Sequence, residues 1–182
     1  MQDLTPVEAI APVELLERHA DEVLEVWSEA SGTAPGGPRA RDRIREILPR
    51  HAGRAGFRFL AAREDGVLAG FVYGYLGGPG QWWHDIVAAK LGDEGLARWL
   101  APGHFELVEL HVRPRFQGRG IGGRLHDRVL EGLTGPTAVL STQVDNERAL
   151  RLYRSRSWRV IVPELRFSSG GEPFCVMGRD LP

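Results

Sequence analysis

The sequence predicts a single α/β domain with a mixed β-sheet. A length of 182 residues corresponds to about one domain, and 42% hydrophobic with 26% charged residues is ordinary for a globular protein. In the C-terminal half, predicted strands and helices alternate, which implies at least one parallel strand pair joined by a crossover. Hairpin signals on either side of this region imply antiparallel neighbours.

The elements of the N-terminal half follow from apolar spacing and from turn residues. A short strand is predicted at Val7–Ile10. Val13–Ala30 and the basic segment Arg39–Leu48 have helical periodicity, with the loop Ser31–Pro38 between them. The second helix is expected to end near Pro49, because proline cannot donate a helical hydrogen bond.

The remaining elements begin with a hairpin and a long helix. Strands Phe57–Ala62 and Val67–Leu76 flank the turn Asp65–Gly66, and the helix Gln81–Leu100 follows a glycine-rich break. The C-terminal half is then predicted as strand, helix, strand, helix, strand and strand: His104–Val112, Ile121–Leu133, Thr137–Thr142, Asn146–Arg156, Trp158–Phe167 and Phe174–Arg179.

Composition excludes several classes of protein. A net charge of −1 argues against a general nucleic-acid binder, and no apolar run approaches the roughly 18 residues of a membrane helix. Cys175 is the single cysteine, and the six histidines lack metal-ligand spacing. No signal peptide is recognised at the N-terminus. We therefore expect a cytoplasmic protein without metal, nucleic-acid or membrane partners. We attribute the excess of arginine over the single Lys90 to a GC-rich, bacterial genome.

Charge is unevenly distributed along the chain. Residues 61–110 carry a net charge of −4 (three basic against seven acidic residues), and residues 111–182 one of +5 (twelve against seven). The C-terminal third therefore suits an anionic ligand and the middle a cationic one, although solvated faces alone could give the same pattern.

A glycine-rich loop between a strand and a helix is the most informative segment. Glycines let the backbone approach a ligand closely, and a helix N-terminus offers free amides and a positive dipole end to phosphate. Arg119 and Arg124 could add charge-assisted hydrogen bonds. The spacing Gly118-x-Gly120-x-x-Gly123 also matches a dinucleotide fingerprint. We reject that match because Arg113–Gln117 separates the glycines from the strand. A Walker loop is excluded because Gly-Lys-Ser/Thr is absent.

Gln117-Gly118-Arg119-Gly120-Ile121-Gly122, preceded by Leu110-His111-Val112-x-Pro114, resembles the signature of the GNAT acetyltransferase superfamily. The resemblance implies a mostly antiparallel sheet with a splayed parallel strand pair, flanked by helices. It also implies acetyl-CoA as co-substrate. The residues that it assigns to acetyl-CoA binding are Leu110, His111, Val112, Gln117, Gly118, Arg119, Gly120, Ile121, Gly122, Gly123, Arg124, Asn146 and Tyr153.

Asp145–Tyr153 resembles the second motif of the family, Asn-x-x-Ala-x-x-Leu-Tyr. The resemblance implies that Asn146 reaches the pantetheine arm and that the Tyr153 hydroxyl points at the sulfur. Asn146 could equally be a helix N-cap, and Tyr153 a core aromatic. Ser157 stands where the family usually has glycine, which could change the shape of the helix end.

Acetyl transfer to an amine requires a base for the ammonium proton and an acid for the departing thiolate. Tyr153 is the expected acid. Glu109 is the preferred base and Glu106 the second choice, and strand alternation puts these two on opposite faces. Histidine is often a base in enzymes, but His111 is expected to act through its backbone. Deprotonation through water is the remaining alternative.

The acceptor side is expected within residues 12–103, and the acetyl-CoA core within residues 104–160 of one domain, 1–182. Trp83 and Asp85 could hold an amine by cation–π contact and ion pairing, with Trp27 as a further candidate. Packing of the tryptophans onto the sheet is the alternative. The expected acceptor is a primary amine of a small cationic metabolite or antibiotic-like molecule. A protein N-terminus or lysine, or a non-catalytic acyl-CoA-binding module, remains open. A homodimer is also possible.

Overall fold

The computed structural model describes residues 5–31 and 38–182. Its contacts divide the chain into two compact units, Met1–Tyr75 with Val108–Glu131, and Leu76–Leu107 with Gly132–Pro182. The strand β4 (Phe105–Val112) belongs to both, because its first three residues fall in the second unit and the other five in the first.

The first unit combines antiparallel strands with helices. Besides its part of β4, its strands are β1 (Val7–Ala9), β2 (Arg58–Glu64) and β3 (Val67–Leu76, of which Leu76 falls in the second unit). They follow the order β1-β2-β3-β4, and β1 and β3 both pair antiparallel with β2. The other described elements are α1 (Pro12–Glu14), a π-helical turn (Leu15–His19), α2 (Ala20–Ala30), α3 (Pro38–Ala52), a 3₁₀ turn (Pro114–Phe116) and α5 (Ile121–Leu130).

Alternating aromatic residues of β2 and β3 form the core of the first unit. Phe59 stacks on Phe71 with ring centroids 5.5 Å apart, and Tyr73 continues the same row. Val23 and Val26, one helical turn apart on α2, are buried in the same cluster. Burial of each large apolar side chain contributes roughly 2 kcal/mol.

The second unit contains the first three residues of β4 and three further strands, β5 (Thr137–Gln143), β6 (Arg159–Leu165) and β7 (Phe174–Asp180). The strand order is β4-β5-β7-β6; β5 pairs parallel with β4 at Phe105↔Ala138 and Glu106↔Val139, whereas β7 pairs antiparallel with both β5 and β6. The other described elements of this unit are the helices α4 (Trp82–Trp99) and α6 (Glu147–Arg154).

The long helix α4 covers the core of the second unit. Trp83, Val87 and Trp99 of this helix pack with Val139 and Val176 of the strands. The helix is interrupted at Gly92, where φ is 69° and ψ 179°. Only glycine adopts such a backbone without strain.

The predicted fold class is confirmed: the sheet is mixed and mostly antiparallel, with one parallel pair and flanking helices. The predicted end of the second helix near Pro49 is wrong, because α3 continues to Ala52 and the Pro49 carbonyl accepts a hydrogen bond from Gly53. Of the predicted loop Ser31–Pro38, residues 32–37 lie outside the described residues. Among the residues that the structure describes, no helix is long and apolar enough to cross a membrane.

Candidate functional site

The glycine-rich loop of the first unit ends in the N-terminus of α5. Gly118 and Gly120 both have a φ of 78°, a left-handed backbone that other residues adopt only with strain. Gly120 is the N-cap of α5, and no side chain caps this end. The first amides of the helix therefore lack intrahelical acceptors and point toward the loop, which is the geometry that binds phosphate.

Arginines of the loop are held close to its backbone. Arg119 donates to the carbonyl of Arg115, and Arg124 donates to the carbonyl of Arg119, each at 3.3 Å. The guanidinium groups of Arg115 and Arg119 also lie 4.9 and 5.4 Å from the centre of the Phe116 ring. These contacts concentrate positive charge where the helix dipole is positive, so the loop favours an anion.

Arg113 anchors the start of the loop. Its side chain is buried, donates to the Leu68 carbonyl at 2.8 Å, and forms ion pairs with Glu25, at 3.1 Å, and with Glu29 of α2. Its backbone amide donates to the carbonyl of Ala69 at 2.8 Å. This residue therefore ties the loop to both β3 and α2.

Glu109 and His111 form a polar pair on β4. Oε2 of Glu109 lies 2.6 Å from Nε2 of His111, and because a carboxylate accepts, the imidazole nitrogen donates. The ring of His111 packs against Phe71 at 5.6 Å and against the edge of Trp27 at 6.4 Å. The Glu109 side chain keeps 30% of its surface exposed and could still contact a ligand.

His51 of α3 adds an uncharged imidazole near this pair. Its Nδ1 lies 3.1 Å from the Tyr73 hydroxyl, and its ring packs against Tyr75 at 4.9 Å. Burial lowers the pKa of His51 to about 4, and the positive charge of Arg54 acts in the same direction, whereas Glu109 opposes both. His51 is therefore neutral at pH 7, and Glu109 supplies negative charge in its surroundings.

In the second unit, Asn146 and Tyr153 lie at the two ends of α6. Oδ1 of Asn146 accepts from the amide of Ala149 at 3.1 Å, so Asn146 is an N-cap whose side-chain NH₂ group is still a donor. Tyr153 is 6% exposed and packs against Trp158 with ring centroids 5.7 Å apart. The Tyr153 ring is therefore part of the core, as the core-aromatic alternative predicts. Any part that Tyr153 plays in catalysis rests on its hydroxyl group.

Ser157 takes the conformation that glycine would take after α6. Its φ is 63°, and the amide of Trp158 donates to the carbonyl of Tyr153 at 3.2 Å. The serine therefore leaves the shape of the helix end as glycine would make it, at the cost of backbone strain.

Glu106 is buried beside His104 in the second unit. Their side chains are 4% and 1% exposed, and Oε1 of Glu106 lies 3.6 Å from Nε2 of His104. Neither atom has a hydrogen-bond partner among the described residues. This environment differs from that of Glu109, which is half-buried and hydrogen-bonded.

Two of the three predicted acceptor-side residues lie at the start of α4. Trp83 donates from Nε1 to the hydroxyl of Ser141 at 3.0 Å and packs in the core of the second unit, as the packing alternative predicts. Asp85 accepts from the Gly80 amide at 3.0 Å, and its side chain is 54% exposed. Trp27, in the first unit, lies beside His111.

Sequence reasoning missed three residues near the candidate site: His51, His104 and Arg113. His51 lies far from either motif in the chain and becomes relevant only through Tyr73 and Glu109. His104 directly precedes β4, so its spacing of two from Glu106 was a usable signal, because alternate strand residues share a face. Arg113 stands inside the lead-in motif at a position where the motif specifies no residue.

Comparisons with known proteins bear on this geometry. The sequence profile of the Acetyltransferase (GNAT) family matches residues 20–158. The GCN5-like protein acetyltransferase Rv2170 of Mycobacterium tuberculosis is 40% identical over 122 residues, 63% of this chain and 59% of that protein. The chain thus spans about three fifths of this curated relative.

Solved structures share the fold over nearly their whole length. A GNAT-family protein from Desulfovibrio desulfuricans has a TM-score of 0.69 at 18% identity, covering 98% of this chain and 99% of its own. PaiA N-acetyltransferase from Thermoplasma acidophilum, solved in complex with coenzyme A, has a TM-score of 0.60 at 16% identity, covering 96% and 99%.

Proposed function

Because the chain belongs to the Acetyltransferase (GNAT) family, we propose that it transfers acetyl directly from acetyl-CoA to a primary amine. The observation that carries this proposal is the loop with left-handed Gly118 and Gly120 that opens α5. Its uncapped amides and adjacent arginines fit a pyrophosphate. Acetyl-CoA supplies the activated acetyl group, and the chain's own residues bind, orient and move protons.

Direct transfer is supported by the state of the single cysteine. Cys175 is buried in β7, and burial raises the pKa of its thiol. A thiol of this kind is a poor nucleophile, because the thiolate is the reactive form. The amine itself is therefore the proposed nucleophile.

The two β4 carboxylates are proposed to have different roles. Glu106 is buried, and its Oε1 accepts no hydrogen bond from the described residues, so it has an open acceptor position for a proton. Glu109 already accepts from His111 and remains partly exposed. We therefore assign the base to Glu106, acting directly or through one water, and, because strand alternation puts Glu109 on the opposite face, we assign to Glu109 only the electrostatic attraction of a cationic acceptor. This reverses the order that the sequence suggests.

Tyr153 is the proposed acid for the departing thiolate. A phenol with an ordinary pKa near 10 can protonate a thiolate whose acid has a pKa of about 8.5, when both are held close together. Backbone amides of β4 are the proposed donors to the oxygen that becomes negatively charged. The side-chain NH₂ group of Asn146 is a proposed donor to the pantetheine arm, since only its Oδ1 is used in capping.

The acceptor is proposed to be cationic before it reacts. The middle segment, residues 61–110, carries a net charge of −4. Glu109 is hydrogen-bonded to His111, and the ring of His111 packs against the aromatic side chain of Trp27. Both features favour a primary ammonium group. Asp85 and Trp83 remain further candidates. A small cationic amine is the first choice. A protein lysine or N-terminus is the second, supported by the similarity to a protein acetyltransferase.

An acetylation screen tests the proposal. Acetyl-CoA would be incubated with the protein and a panel of polyamines, amino sugars, lysine peptides and peptides with free N-termini. Thiol release and the mass of the acetylated product would be measured. We expect turnover with at least one amine, and Tyr153→Phe should lower kcat about 10- to 100-fold with unchanged coenzyme A affinity. Binding of coenzyme A without turnover on any amine would favour a non-catalytic acyl-CoA-binding module.

A further inference from the structure

Residues 113–128, around the glycine-rich loop, contain five arginines. The two outer ones are neutralised, since Arg113 and Arg128 both form ion pairs with glutamates. The three inner ones have no carboxylate within ion-pair distance among the residues that the structure describes: Arg115, Arg119 and Arg124. Positive charge that has no internal partner makes this loop a site for an anion.

Arg124 lies over the N-terminus of α5. Its Nη1 is 3.4 Å from the position that a Cβ on Gly120 would take, and it donates to the carbonyl of Arg119 at 3.3 Å. The free amides of the first helical turn lie at the same end of the helix. The diphosphate of acetyl-CoA carries one negative charge on each phosphorus. Arg124 and the positive end of the helix dipole therefore suit the diphosphate.

Arg115 and Arg119 are held on the ring of Phe116 instead. Their guanidinium carbons lie 4.9 and 5.4 Å from the ring centre, and Nη2 of Arg119 donates back to the carbonyl of Arg115 at 3.3 Å. Both side chains are exposed. A planar guanidinium stacks on an aromatic ring and keeps its charge, so Phe116 holds two cations near each other without neutralising either. An anion that contacts both would offset their repulsion.

We propose that Arg115 and Arg119 bind the 3′-phosphate of acetyl-CoA, an assignment that rests on the proposed function. This phosphate is a monoester, which carries about 1.5–2 negative charges at pH 7 and three strong acceptor oxygens. A single ribose joins it to the diphosphate, so a protein must bind the two anionic groups side by side. The arginines on Phe116 and the arginine at the helix end provide two such neighbouring groups of donors. The chain therefore distinguishes coenzyme A from 3′-dephospho-coenzyme A.

Isothermal titration calorimetry with these two ligands tests the assignment. We expect the wild type to bind coenzyme A about 10-fold or more tightly than the dephospho form. Arg115→Gln and Arg119→Gln should each reduce this preference at least about threefold by weakening coenzyme A alone. Arg124→Gln should weaken both ligands equally and leave the preference unchanged. Equal wild-type affinities for the two ligands, or an undiminished preference in Arg115→Gln and Arg119→Gln, would overturn the proposal.

Arg18→Gln is the matched control for the loss of one positive charge. Arg18 lies in the same unit, is exposed and has no ion pair among the described residues, but it is far from the loop in the chain. Its substitution should change neither affinity more than about twofold, because exposed charges beyond a screening length interact weakly. A loss of preference in Arg18→Gln equal to that in Arg115→Gln would show a general effect of net charge and would refute the assignment.

The calorimetric measurement needs no acceptor amine, so it separates this assignment from the proposed function. If no amine is acetylated but the preference for the 3′-phosphate is found and is lost in the two variants, the assignment stands and the transfer reaction fails. If acetyl-CoA and its 3′-dephospho form support transfer to the same amine with equal kcat/KM, the assignment fails and the proposed function stands.

Discussion

Glu109 accepts a hydrogen bond from His111 at 2.6 Å while 30% of its side chain remains exposed. The carboxylate is therefore fixed in place but still open to an incoming cation. We expect Glu109→Gln to raise the KM for the amine about 10-fold and to change kcat less than about threefold, because the substitution removes a negative charge that attracts the cationic amine. Initial rates over a range of amine concentrations measure both constants.

Glu147→Gln is the matched control for this prediction. Glu147 also accepts from a basic side chain, that of Arg151 at 3.0 Å, but lies on the exposed surface of α6. Its substitution should leave both constants unchanged. A 100-fold loss of kcat in Glu109→Gln at constant amine KM would show that Glu109 is the base and would reverse the roles assigned to the two β4 carboxylates.

Gly120 offers a direct test of the coenzyme A site. It has a φ of 78° and is the N-cap of α5, where the free amides of the first helical turn would meet a phosphate. Gly120→Glu adds strain, bulk and a negative charge at the positive end of the helix dipole. We expect coenzyme A affinity to fall at least about 100-fold in isothermal titration calorimetry.

Gly132→Glu is the control that separates the effect of backbone strain from the effect of disrupting the coenzyme A site. Gly132 has a φ of 69°, and a side chain there would meet open space. The backbone penalty is thus similar to that at Gly120, although no ligand is proposed nearby. This variant should lose stability to a similar extent and keep its coenzyme A affinity. Equal affinities in the two variants would remove the loop from the proposed site.

Most of the fold could be predicted because local signals were strong. Val67–Leu76 follows a hairpin turn, and the structure has the strand at those bounds. The helix at Asn146 begins with an N-cap that both the spacing and the structure contain. The end of α3 could not be predicted in this way, because the helix continues past Pro49 to Ala52. Packing of α3 against the core of the first unit stabilises its last turn more than the absence of an amide hydrogen on Pro49 destabilises it.

The candidate site could be predicted only where its residues are contiguous in the chain. Gly118 and Gly120 belong to one continuous loop, so their spacing in the sequence was enough to predict a left-handed backbone at both positions. The partners of Glu106 and Glu109 could not be chosen from periodicity, since alternation assigns a face and not a neighbour. The burial of His104 beside Glu106, and of His51 within the electrostatic range of Glu109, depends on tertiary packing. Neither arrangement could therefore be predicted from the sequence.

His51 should make stability depend on pH. Burial lowers the pKa of His51 to about 4 from an ordinary 6.5, so the unfolded chain binds this proton more readily than the folded one. The stabilisation is complete above pH 6.5 and is lost as the pH falls toward 4. Allowing for solvent screening, we expect the wild type to lose about 1 kcal/mol more than His51→Gln between pH 7 and pH 5.

Urea denaturation at the two pH values measures this difference. The variant lacks the titrating group, so the extra loss should vanish while other carboxylates and histidines contribute equally to both proteins. A ¹³C or ¹⁵N titration of His51 in the folded state would give its pKa independently. A midpoint near 6.5, or equal stability losses in wild type and variant, would contradict the burial that the structure assigns to this imidazole.

Ser157 should be a site where a single substitution stabilises the protein. Its φ of 63° costs about 1 kcal/mol for a residue with a side chain, and glycine removes most of that strain, so we expect Ser157→Gly to raise the free energy of unfolding by about 0.5–1 kcal/mol. Ser155→Gly is the control, because Ser155 has a right-handed φ of −65° and donates to Leu152 at 2.7 Å, and it should destabilise. Urea denaturation measures both. Destabilisation by Ser157→Gly would mean that the added freedom of the unfolded chain outweighs the relief of strain.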